Sequence, residues 1–125
     1  MDTTHCHAFI ELFSGESSEW FAELHLPQDA QLEQLLATVP PQERGLPDNL
    51  SLYVDQELKE LRRVRAERDA GERGTWLSFP EVGRVLEQLS TGSIALEPVR
   101  AVAAAMKALE GRPGQRARLV VLLER

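Results

Sequence analysis

Cysteine is nearly absent from this chain: Cys6 is alone among 125 residues. No intrachain disulfide can form. Small secreted domains usually depend on such staples, so a reducing, cytoplasmic setting is expected. Long apolar runs are missing as well. The longest aliphatic stretches, Ala101–Met106 and Leu119–Leu123, fall far short of a membrane span, which takes about 20 apolar residues. The opening Met-Asp-Thr-Thr-His-Cys-His places no cationic segment ahead of an apolar one, so no secretory signal is expected. The phosphate-cradling Gly-x-x-x-x-Gly-Lys and Gly-x-Gly-x-x-Gly patterns are absent, as are His-Glu-x-x-His, Gly-x-Ser-x-Gly and Ser-x-x-Lys.

Basic residues are scarce in one half only. Residues 1–53 hold nine acids against the single base Arg44, whereas residues 54–125 hold eleven acids and thirteen bases, for a net charge of −6. An acidic chain lacks the electrostatic footprint that nucleic acid requires, so nucleic acid is not expected as a partner; with apolar runs this short, neither is a membrane. The asymmetry between halves is of the kind that orients a protein partner.

What is present suits a globular domain. Hydrophobic residues at 42% and charged residues at 27% predict a single domain over 1–125. The bias toward Ala, Leu, Arg, Glu and Gly fits a bacterial source. Residues 8–14 and 20–26 flank Gly15-Glu-Ser-Ser18 and read as a β-hairpin. Its even positions, Ile10, Leu12, Trp20, Ala22, Leu24 and Leu26, form one apolar face. Leu32, Leu35, Leu36 and Val39 predict a helix over 28–39, stopped by Pro40-Pro41, and residues 40–49 read as a surface loop. Leu50, Leu52 and Val54 alternate with polar residues and predict a short third strand. A charged helix over 55–69 follows, its stripe formed by Val54, Leu58, Leu61 and Val64, and Asp69–Thr75 breaks it.

Ser78-Phe-Pro-Glu81 is a capping box with Leu77 and Val82 as its hydrophobic staple. It opens a helix on Val82, Val85, Leu86 and Leu89. Pro98 opens an alanine-rich helix that Gly111 ends. Leu119–Leu123 is apolar at every position and should be a strand covered on both faces. The expected fold is α+β, with a small antiparallel or mixed sheet of about four strands. The order is β-β-α-β-α-α-α-β, with helices packed mainly on one face.

The odd positions of the hairpin gather the residues that carry chemistry. His5, His7 and His25 share this parity with Glu11 and Glu23. One register sets Glu11 against Glu23 and Phe9 against His25; the other sets His7 against His25 and Phe9 against Glu23. In either, His7, His25, Glu11 and Glu23 offer imidazole and carboxylate ligands for a divalent metal, or carboxylates that share a proton. The plainer reading is a wet strand face on which polar residues collect. Phe9, Phe13 and Phe21 on the same face form an exposed aromatic strip unless helices or the long loop cover it, and such strips mark interfaces.

Cys6 lies between two histidines in sequence. Strand neighbours point to opposite faces, so an unreactive thiol is expected. Arg112-Pro-Gly-Gln-Arg-Ala-Arg118 reads as a solvated turn, with anion binding as the alternative. The run Arg62, Arg63, Arg65, Arg68 reads as a solvated helix face.

The sequence favours a non-enzymatic protein-binding module of the inhibitor, immunity or adaptor kind, with no cofactor. Its acidic hairpin and first helix would dock on a basic partner, or on a second copy, through Phe9, Glu11, Phe13, Phe21 and Glu23. The alternative is a small enzyme or metal-binding domain using His7, His25, Glu11 and Glu23.

Overall fold

A computed structural model describes residues 6–14, 17–27, 29–41, 44–66, 72–111 and 113–124. Two strands, β1 (Cys6–Ser14) and β2 (Ser17–Leu26), form the hairpin. They are followed by α1 (Ala30–Thr38), α2 (Leu52–Ala66), β3 (Glu72–Ser78), α3 (Phe79–Gln88), α4 (Leu96–Leu109) and β4 (Arg116–Glu124). The strands form one antiparallel sheet in the order β2-β1-β4-β3. The fold class is therefore α+β, as the sequence predicts. Among the described residues no helix is long and apolar enough to cross a membrane.

The alternating strands divide the core between the two sheet faces. On one face Ala8, Ile10, Leu77, Leu119 and Val121 pack against Leu32 and Leu36 of α1, Val82 and Val85 of α3, and Val102 and Met106 of α4. On the other, Phe9, Val120 and Leu122 pack under Val54 and Leu58 of α2, with Leu46, Leu50 and Trp76 at the margin. Three helices thus lie on one face and α2 on the other. β4 is central and feeds both cores, which is why its sequence shows no polar alternation.

The helix starts follow local chemistry. Asp29 caps α1 by accepting from the Leu32 amide at 3.0 Å, so the helix starts at Ala30 rather than at residue 28. Ser78 and Glu81 form the expected capping box on α3. The Asp55–Lys59 pair on α2 forms at 3.1 Å between exposed side chains. Of the stripe expected for this helix, the side chains of Leu61 and Val64 lie outside the described residues.

The third strand is in a different place from the one expected. Residues 52–54 are the first turn of α2, whose start Ser51 caps: its carbonyl accepts from Asp55 N at 2.9 Å and its hydroxyl from Val54 N at 3.4 Å. The strand lies instead at 72–78, beginning within the Asp69–Thr75 stretch that reads as a helix breaker and running past it to the capping box. Gly74 explains the misreading. A Cβ there would come within 2.6 Å of Leu46, so the glycine admits Leu46 and the described residues 44–51 around it onto the sheet rather than ending an element.

That segment is more than a surface loop. Arg44 Nη1 donates to the Trp76 carbonyl at 3.0 Å and to Glu81 Oε1 at 2.5 Å, and its guanidinium lies 4.2 Å from the centre of the Trp76 ring. Gly45 takes the left-handed conformation, φ 68°, that turns the chain back over β3. Burial pushes the Glu81 carboxyl up, but hydrogen bonds from Arg44 and the Ser78 amide, with the Arg44 charge, outweigh it and hold the group below its ordinary value.

Candidate functional site

The hairpin register sets His7 against His25 and Phe9 against Glu23, so Glu11 and Glu23 do not oppose each other. The pairing then shifts. Ile10 faces Ala22 and Glu11 faces Trp20, which leaves Phe21 as the extra residue of a β-bulge. Beyond the bulge the parity of β2 reverses. Trp20 therefore joins the face of Glu11 and α2 instead of the three-helix face that its even position predicts.

Two of the five expected docking residues are inaccessible. Phe9 and Glu11 have no exposed surface: α2 covers Phe9, and Glu11 is buried against Arg118. Arg118 meets the Glu11 carboxylate at 2.6 Å, also donates to Asn49 and Ser18, and Glu11 Oε2 accepts from the Ser51 amide at 2.7 Å. Phe13 is half-buried, with the Arg118 guanidinium 4.8 Å from its ring centre. The continuous aromatic strip therefore does not exist. Phe21, 47% exposed, and Glu23 are open to solvent.

A different aromatic patch takes its place. The Trp20 and Tyr53 rings lie 4.4 Å apart at 40°, and Trp20 is 44% and Tyr53 37% exposed. Leu52, in the first turn of α2, is 72% exposed. The Tyr53 hydroxyl donates to Glu23 Oε1 at 2.8 Å. That hydrogen bond first, then burial and the charges of Glu23 and Glu57, hold the phenol above its ordinary pKa. Sequence reasoning missed Trp20 because it assumed unbroken alternation, and missed Tyr53 because it placed that residue on a strand. The adjacent Trp20-Phe21 pair was the available signal, since two successive aromatics on one strand cannot both enter the same core.

The histidine and carboxylate set is only partly assembled. His7, Glu23 and His25 bring one ligand atom each to within 4.8 Å of one another. The two imidazole rings lie 4.4 Å apart, edge to face at 66°. Glu11 belongs to the Arg118 network and is not a member of this cluster. His5 and the side chain of Cys6 lie outside the described residues. Among the described residues the arginine turn gathers no anion cradle, since Arg118 is turned inward and Arg116 is exposed; Arg112 lies outside them. No known protein family matches this chain, and comparisons with curated proteins and with solved structures give no match either.

Proposed function

We propose that this chain is a protein-binding module of the inhibitor, immunity or adaptor kind, and that the patch of Trp20, Tyr53 and Leu52 is where a basic protein surface docks. The observation that carries this reading is the exposed Trp20–Tyr53 pair bearing the Glu23 carboxylate on its rim. Exposed aromatics supply contact area and cation–π faces, and a carboxylate beside them selects a guanidinium or ammonium. The charge distribution supports a cationic partner. Arg44, the single base of the first 53 residues, is engaged with Glu81, and Arg118 is engaged with Glu11. Glu23 and Glu57 both act electrostatically on Tyr53 and supply the steering charge.

The test is NMR titration of the labelled chain with an arginine-rich peptide at low and at physiological salt. Shifts centred on the Trp20 indole, Tyr53 and Glu23 are expected. E23K/E57K should weaken binding at least tenfold, whereas E87K, an exposed charge on α3, should leave it unchanged. Equal loss from E87K, or shifts spread evenly over the acidic surface, would overturn the reading. So would concentration-dependent self-association through the same residues, which would make a second copy the occupant.

A further inference from the structure

We propose that His7, Glu23 and His25 form a binding site for one zinc-class divalent cation, with a coordination position open to solvent. The site shares Glu23 and Tyr53 with the docking patch but does not rest on the docking reading: His7 and His25 lie outside that patch, and the test reads zinc rather than peptide. The register creates the cluster. His7 and His25 are direct cross-strand partners, and Glu23 lies two residues before His25 on the same strand face. Their donor atoms already lie within 4.8 Å of one another. Ligand atoms around a tetrahedral zinc are about 3.3 Å apart, given metal–ligand distances near 2.0–2.1 Å. The remaining approach is a matter of side-chain rotation, for which exposed His25 and Glu23 have room.

The donor chemistry selects the class of ion. Two imidazoles and one carboxylate suit zinc and neighbouring transition ions, whereas magnesium and calcium prefer an all-oxygen shell. The carboxylate is also held from behind. The Tyr53 hydroxyl donates to Glu23 Oε1, which leaves Oε2 for the cation, and the Trp20 ring packs against Tyr53. Outer partners of this sort orient a ligand and strengthen binding. A cation here would join β1, β2 and, through Tyr53, α2.

The experiment is calorimetric titration of the full chain with zinc chloride, with cobalt(II) absorption as a geometric readout. One zinc per chain is expected, with visible cobalt bands of tetrahedral intensity and no competition from excess magnesium. H25A and E23Q, both at exposed positions, should fold normally by circular dichroism and each weaken zinc at least tenfold. Y53F should weaken it severalfold, and H5A should leave it unchanged. Wild-type affinity in H25A, or loss of binding on H5A or C6S, would place the ion at the terminal segment and overturn the proposal. No saturable binding, or one ion per two chains, would overturn it as well.

Discussion

Glu11 and Arg118 face each other across the β1–β4 pair and meet at 2.6 Å, with the carboxylate fully buried. Every polar atom of the carboxylate is served: Oε1 by the guanidinium and Oε2 by the Ser51 amide. The pair therefore ties the start of α2 to the sheet. Removing one member strands a buried charge, at a cost of about 3–5 kcal/mol, while an apolar pair of similar volume can be nearly neutral. We predict that R118M is strongly destabilised, and that E11L/R118M is markedly less so than the sum of its single changes. Chemical denaturation of the four chains checks this, and additive losses would contradict it.

The two phenylalanines that the sequence treats alike should respond very differently. Phe9 has no exposed surface and lies under Val54 and Leu58, so F9A should cost about 3–5 kcal/mol through lost burial and the cavity left behind. Phe21 is 47% exposed, and F21A should stay within about 0.5 kcal/mol. Comparable thermal midpoints for the two variants would refute the assignment of faces.

Gly74 is pinned by its neighbour rather than by its backbone angles. A Cβ would sit 2.6 Å from the Leu46 side chain, so G74A should cost about 1–3 kcal/mol by overpacking. Trimming Leu46 should relieve the clash, and the G74A/L46A chain should lose less stability than the separate losses add up to. A strictly additive double-mutant cycle would rule the clash out.

Glu81 should make stability depend on acid. Its folded pKa lies below the ordinary value of 4.5, so the unfolded chain takes up the proton first as pH falls. The stabilisation from this group is fully present above that ordinary value and is lost as pH drops through the lower, folded value. Denaturation free energies measured from neutral pH downward should fall more steeply for the wild type than for E81Q. Parallel curves would show that Arg44 contributes nothing through Glu81.

Elements governed by neighbouring residues were readable from the chain, and those governed by distant contacts were not. The Ser78–Glu81 box is a local hydrogen-bond pattern, and it appears where the spacing puts it. The apolar run at 119–123 names its own environment, because burial on both faces leaves no polar alternation. Residues 50–54 alternate like a strand, yet Ser51 as a cap and the docking of Val54 and Leu58 on Phe9 make them the start of a helix. Asp69–Thr75 reads as a break, yet β3 begins inside it at Glu72, with Leu46 placed above Gly74. At the site, His7, His25 and Glu23 share a face through simple periodicity. Glu11 leaves them because of Arg118, which is 107 residues away along the chain.

The bulge at Phe21 acts as a phase step in β2. On the distal side of it, even numbers mean the α2 face; on the proximal side, they mean the three-helix face. Phe21 itself pairs with no residue of β1. Its excision would leave both runs of partners standing, with Trp20 still opposite Glu11. Moving the extra residue elsewhere along the strand would instead exchange which side chains meet Tyr53. In this strand, the position of a single unpaired residue decides which chemistry reaches the surface.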